Sequence, residues 1–301
     1  MIDNNKIAII GAGLMGAGIA QVFASKGFSV SVCDPIEDVR LSLKTRIQDG
    51  LKSVASDPSI ADHVNVTRDM SEALSGAFAV FEAAPEKLEI KQSIFKELDK
   101  IAAPETILAS NTSVISISNI AKSVIRRERM LGTHWWNPPY LVPLVEVVPI
   151  AETKDKVTTQ MIDLLSNVGK KPVLVKRDVP GFVGNRLQHA LWREAHALIE
   201  EGVCDAETID IVVKNSFGMR LPVLGPIENA DLVGLDLTLD IHRTILPELS
   251  KRSDPSPALV KNIEAGRLGF KTGKGFRDWT DEQIQETRTT LSQHLLKTLR
   301  E

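Results

Sequence analysis

The chain has 301 residues, enough for two domains with separate cores. Hydrophobic residues make up 43% and charged residues 25%, the balance of a globular protein, and the net charge of −3 with a pI near 6.1 offers no positive field to draw in nucleic acid or an anionic membrane. A phosphate-bearing ligand must then be held by local geometry. The two cysteines, Cys33 and Cys204, form no C-x-x-C pair and read as free thiols in a reducing compartment. The polar first residues run straight into a strand, and no apolar run is long enough to span a bilayer. A cytoplasmic protein with no membrane or nucleic-acid partner is expected.

In chain order, residues 6–10 form an apolar run ending in glycines, a buried strand. Residues 14–25 carry apolar side chains at helical spacing with Gly27 as the C-cap, and 28–33 is a second strand. Strands are predicted again at 77–83 and 106–109, with helices at 90–101 and 117–124 between and after them. This alternation predicts a doubly wound, mainly parallel sheet of the Rossmann type, an α/β fold. Residues 131–148 cannot be helical through Pro138, Pro139 and Pro143 and read as strand, turn, strand; 171–175 is one more strand. From Pro180-Gly181 the character changes. A long helix over 182–201 places Phe182, Leu187, Ala190, Leu191, Ala195, Leu198 and Ile199 on one stripe, and helical segments dominate to the end. Two domains are expected, 1–179 as a dinucleotide-binding domain and 180–301 as an all-helical domain.

The loop Gly11-Ala12-Gly13-Leu14-Met15-Gly16 has strand before it and helix after it. Gly11 permits the tight turn, Gly13 lets backbone approach a pyrophosphate, and Gly16 lets helix and strand pack closely, while the helix N-terminus offers free N–H groups to phosphates. Asp34 ends the second strand; its carboxylate either accepts from a ribose hydroxyl, which selects NAD over NADP, or caps the next helix. A second signal is His134, twelve residues before Glu146 across the proline turn. The pair reads either as a general base oriented by a carboxylate or as a core histidine on a structural glutamate. His189 and His196 lie seven apart on one helix without a completing ligand set, so no metal is expected.

These motifs, taken with Glu82-Ala83-Ala84-Pro85-Glu86 and Lys91, Ser110-Asn111-Thr112-Ser113, Pro180-Gly181-Phe182-Val183-Gly184-Asn185-Arg186, Asp231-Leu232-Val233-Gly234 and Lys271-Thr272-Gly273-Lys274-Gly275-Phe276, resemble the L-3-hydroxyacyl-CoA dehydrogenase family over nearly the whole chain. The resemblance implies a catalytic set of His134 as base, Glu146 as its orienting partner, and Ser113 and Asn185 on the substrate oxygen. It implies cofactor contacts from the glycine loop, Asp34, Glu86, Lys91, Asn137 and Lys271, with NAD as cofactor. It also implies a small hydroxy substrate, a place in fatty acid metabolism, and a homodimer formed through the helical domain.

Two features depart from the acyl-CoA enzymes. The stretch from Asp34 to Glu86 is short, and Arg40, Lys44, Arg46 and Lys52 on it form either a phosphate-binding face or a solvated helix face. The run Asn137-Pro138-Pro139-Tyr140-Leu141-Val142-Pro143 is more similar to relatives that oxidise free gulonate, carnitine or a pyridine carboxylate. One of Trp135 and Trp136 is expected in the core and the other at the pocket. Arg220 either meets a substrate carboxylate or forms a structural salt bridge. The expected activity is therefore NAD-dependent oxidation of a hydroxyl, on a CoA thioester or on a free compound. The remaining alternative is a catalytically silent NAD-binding structural protein.

Overall fold

The computed structural model describes residues 2–300. It contains two compact units, one built from residues up to Asn185 together with those from Ser292 on, the other from Arg186–Leu291.

The first unit is an eight-stranded sheet. Its strands are β1 (Asp3–Ile10), β2 (Ser29–Cys33), β3 (Val64–Thr67), β4 (Ala77–Glu82), β5 (Ile107–Ser110), β6 (Met130–Trp135), β7 (Leu144–Pro149) and β8 (Lys171–Leu174). Their spatial order is β3-β2-β1-β4-β5-β6-β7-β8, parallel throughout except for the antiparallel pair β6–β7. Alternation in β1 sends Ile7 and Ile9 to one core and Ala8 and Ile10 to another, so both faces of the sheet are covered. The covering helices are α1 (Leu14–Ala24), α2 (Glu37–Leu41), α3 (Leu43–Ser53), α4 (Met70–Leu74), α5 (Leu88–Ile101), α6 (Ile117–Ala121) and α7 (Asp155–Asn167). β3, α4 and α7 have no counterpart in the sequence reading. β3 is a four-residue edge strand with two polar residues, Asn65 and Thr67, and α7 mixes threonines and charges on its exposed face.

The long helix, α8, runs Gly184–Glu200. It starts later than predicted because Phe182 takes a left-handed φ of 49° in the turn that precedes it. Phe182 therefore leaves the helical stripe and packs into the sheet core, 1% exposed. The rest of the second unit comprises α9 (Ala206–Lys214), α10 (Pro226–Val233), α11 (Leu235–Ile245), α12 (Pro257–Glu264) and the greater part of α13 (Asp281–Arg300). Among the described residues of 186–291, the buried apolar side chains are Ala197 and Ile284, while Leu187, Leu191 and Trp192 of α8 stand exposed.

Candidate active site

The glycine loop closes the carboxyl end of β1. Gly11 has φ +102°, and a Cβ there would lie 2.7 Å from the Ala83 carbonyl oxygen; a Cβ on Gly16 would fall 1.8 Å from the Gly11 oxygen. Those two positions admit only glycine. A Cβ on Gly13 meets nothing within 4 Å. Its glycine is thus not required by the protein's own packing, which is what a position kept clear for a ligand would show. Gly13 is also the N-cap of α1 and has no side chain to satisfy the first-turn N–H groups. Leu14 is exposed and Met15 half-buried beside them. Asp34 Oδ2 accepts from the Ala12 N–H at 2.8 Å and Oδ1 from the Ile36 N–H at 2.9 Å. The carboxylate so fixes the loop and the turn to Ile36, the N-cap residue of α2, with lone pairs left for ribose hydroxyls. These residues fit a dinucleotide on local geometry alone.

The next carboxyl ends carry a charge network. Lys91 Nζ donates to Glu82 Oε1 at 2.8 Å and lies 3.4 Å from Glu86 Oε2. Glu82 also accepts from Ser110 Oγ at 2.6 Å and from the Ala84 N–H. Glu86 Oε1 accepts from Thr112 Oγ1 at 2.5 Å and from the N–H groups of Ser113 and Val114. Burial alone would raise the Glu86 carboxyl; the Thr112 and backbone hydrogen bonds and Lys91 outweigh it and hold the group below the usual glutamate range. The expectation that Lys91 touches the cofactor needs correction. Its side chain is 0% exposed, enclosed between Glu82 and Glu86. Ser116 is the N-cap of α6, and Asp178 accepts from Ser116 Oγ and from the N–H groups of Ile117 and Ser118.

His134 and Glu146 are register partners in the antiparallel β6–β7 pair. His134 Nδ1 lies 2.7 Å from Glu146 Oε2. The other oxygen, Oε1, accepts from the Val183 N–H at 2.8 Å and the Gly184 N–H at 3.1 Å. Burial alone would raise the Glu146 carboxyl, but the hydrogen bonds from His134, Gly184 and Val183 prevail and hold it below the ordinary value. One carboxylate thus ties the histidine to the start of α8. In the first turn of that helix, Asn185 Nδ2 donates to the Ser113 carbonyl oxygen at 2.9 Å. The structure therefore brings His134, Glu146, Asn185 and Ser113 into one connected group. Trp136 tilts against the His134 ring at 5.1 Å and Phe182 lies 5.6 Å away on the imidazole. A Cβ on Gly184 would lie 2.4 Å from Trp136 Cζ2. Trp135 sits in the core between Phe23 and Phe81. Asn137 is exposed at the head of the proline turn. Lys271 lies in the second unit, on the wall of a cavity of about 1320 Å³ that residues of that unit line; Arg220 is exposed elsewhere in the same unit.

Residues 6–179 match the 3-hydroxyacyl-CoA dehydrogenase NAD binding domain, and residues 181–279 match the C-terminal domain of the same family. The chain belongs to the 3-hydroxyacyl-CoA dehydrogenase family. It is an NAD-dependent oxidoreductase of that type. It is 36% identical, over 98% of its length and 97% of the relative's, to a 5-formyl-3-hydroxy-2-methylpyridine 4-carboxylate 5-dehydrogenase of Mesorhizobium japonicum. It is 37% identical to the mitochondrial hydroxyacyl-coenzyme A dehydrogenase of Sus scrofa over 90% of each chain. Among solved structures, a 5-formyl-3-hydroxy-2-methylpyridine 4-carboxylic acid 5-dehydrogenase, described as an NAD+-dependent dismutase, superposes with a TM-score of 0.89 at 34% identity, covering 100% of this chain and 98% of that one.

Set in this dehydrogenase frame, two residues emerge that sequence reasoning passed over. Asp178 is one, two positions before Pro180; it caps α6 some sixty residues earlier, a contact that local spacing does not signal. Lys170 is the other, the first residue after the glycine that ends α7. The cations after Asp34 are placed as well. Arg40 donates to the Asp34 and Pro35 carbonyls, Arg46 to the Val39 carbonyl and Lys44 to the Asp62 carbonyl. They hold α2 and α3 in place. Gly18 of α1 receives Pro139, whose Cδ lies 2.7 Å from where a Cβ would be.

Proposed function

We propose that the chain oxidises the hydroxyl of a 3-hydroxyacyl compound to the 3-keto product, reversibly, with His134 as general base. The observation that carries this is the 2.7 Å contact of His134 Nδ1 with an ionised Glu146. With Nδ1–H donating to the carboxylate, Nε2 is the acceptor that takes the hydroxyl proton. Glu146 then stabilises the imidazolium without itself taking the proton. Ser113 Oγ–H and the second N–H of Asn185 Nδ2 hold the substrate oxygen as charge develops on it. Bound NAD+ supplies the hydride acceptor. The glycine loop would receive its pyrophosphate and Asp34 its ribose, with Asn137, Glu86 and Lys271 as the further contacts and Lys91 keeping Glu86 in place. Residues 1–179 form the cofactor domain and 180–301 the substrate and dimerisation domain.

A second reading has its own support. Of the four cations on the stretch after Asp34, Arg40, Lys44 and Arg46 donate to backbone carbonyls, and the pyridine-carboxylate relative aligns over 98% of the chain. On that reading the substrate is a free hydroxy acid or alcohol. Assay of 3-hydroxybutyryl-CoA, 3-hydroxybutyrate, gulonate, carnitine and a pyridine-carboxylate alcohol with NAD+ separates the two. The higher kcat/KM on the thioester supports the first reading, and turnover of a free compound alone supports the second. No NADH from any of them, with NAD still bound, would favour a silent structural protein.

The helical unit pairs with a second copy. A unit of this length with two buried apolar side chains lacks a core of its own, and exposed Leu187, Leu191, Trp192, Leu235, Leu239 and Ile241 supply one when two copies meet. Two free thiols suit a reducing, cytoplasmic setting, and the family suits fatty acid metabolism. No helix among the described residues is long and apolar enough to cross a membrane.

A further inference from the structure

We infer that Lys170 is a positioning residue of the cofactor site: its side chain fixes the 137–142 turn and, through that turn, the place of Asn137. The inference rests on the reading of Asn137 as a cofactor contact.

The sequence builds the arrangement from a helix end. Gly169 takes a φ of +82° after α7, its N–H donates to the Ser166 carbonyl, and the Lys170 N–H donates to the Leu165 carbonyl at 3.0 Å. This pair of bonds is the Schellman closure, which leaves the residue after glycine in a fixed direction. Lys170 Nζ thereby reaches back across the sheet edge. It donates to the Pro139 carbonyl and, at 3.0 Å, to the Val142 carbonyl. It also lies over the Trp135 ring, 5.6 Å from its centroid. Within the turn, the Leu141 and Val142 N–H groups both donate to the Pro138 carbonyl. The two carbonyls that the turn aims away from this internal pair are the ones Lys170 takes.

The opposite side of the turn is braced too. Pro139 rests on Gly18 of α1, the helix whose first turn faces the pyrophosphate. Asn137 stands at the head of this segment, one residue after Trp136 and three after His134. Lys170 and Gly18 grip the segment from two sides and leave it little freedom to move away from the cofactor. Burial pushes the Lys170 ammonium down to about 8. A cation retained at that cost has a local partner to hold, and the partners are the two turn carbonyls.

The test is NADH binding by fluorescence titration, with steady-state kinetics on the best substrate found. Lys170→Met keeps the aliphatic stem and removes both donors. Its Kd for NADH and KM for NAD+ are expected to rise about tenfold or more, the loss of a charged hydrogen-bonding group, while kcat at saturating NAD+ stays within about twofold. Lys170→Arg retains donors for both carbonyls and is expected to restore most of the affinity. Gly18→Ala pushes Pro139 from the other side, so it should weaken NADH binding, and its effect should not add to that of Lys170→Met. This second variant carries the test if Lys170→Met does not fold. Asn137→Ala is run alongside. If Asn137→Ala weakens NADH binding but Lys170→Met and Gly18→Ala do not, the inference fails and the cofactor reading stands. If Asn137→Ala leaves binding intact, that reading of Asn137 fails and takes the inference with it. A fall in kcat at unchanged NAD+ affinity in Lys170→Met would also overturn it.

Discussion

Glu146 is the residue on which the site turns. One oxygen orients His134 and the other gathers the Val183 and Gly184 N–H groups, so a single carboxylate sets both the base and the origin of the helix that carries Asn185. Glu146→Gln keeps the shape but places an amide where two kinds of donor converge. It cannot accept from both sides, and its NH2 facing Nδ1 would select the wrong imidazole tautomer. The expected result is a fall in kcat of about 10²-fold or more with NADH affinity little changed. The same residue gives a pH signature. Its folded carboxyl lies below the ordinary glutamate value, so the unfolded chain takes up the proton first as pH falls. Its stabilising effect is then complete above the unfolded value and is lost as pH drops through the folded one. Denaturant unfolding of the wild type and Glu146→Gln should differ most near neutrality and converge in acid.

At the scale of elements, the glycine loop separates packing from binding. Gly16→Ala drives a Cβ into the Gly11 oxygen, whereas Gly13→Ala enters open space. Gly16→Ala is expected to lower Tm and NADH binding together. Gly13→Ala is expected to keep Tm within a few degrees and still lose NADH, because its methyl group occupies ligand space. Thermal melts with parallel NADH titrations check both, and a Gly13→Ala that binds normally would remove the loop from the pyrophosphate site. The βαβ opening and the proline-broken hairpin were legible because each is written in local chemistry: apolar period, glycine, proline. The His134–Glu146 pairing could be proposed because a two-residue period and one turn fix that register. What stayed hidden depended on distant partners. The Phe182 backbone is left-handed, an outcome that helical periodicity does not reveal. Asp178 caps a helix sixty residues away, Lys91 is sealed between two carboxylates, and Lys170 serves a turn some thirty residues earlier. Spacing along the chain carries no trace of such contacts.

At the scale of the whole molecule, the two units differ in how they reach stability. The sheet unit has two full cores, one on each face. The helical unit leaves its apolar faces open, so its order should depend on association. Sedimentation velocity is expected to show a dimer at micromolar protein, and dilution should lower the apparent Tm by mass action. Leu239→Glu, which places a charge on an exposed apolar face of α11, should shift the species toward monomer; an unchanged dimer would place the interface elsewhere. The proposed oxidation also joins the scales: in it the loop holds the cofactor, the β6–β7 pair supplies the base, and the start of α8 delivers Asn185. The most direct test of this account is NADH formation by the wild type and His134→Ala on the best substrate of the panel, with NADH affinity measured on both proteins. The account expects kcat to fall about 10²- to 10⁴-fold in His134→Ala while the Kd for NADH stays within about threefold. Wild-type turnover by His134→Ala would contradict it.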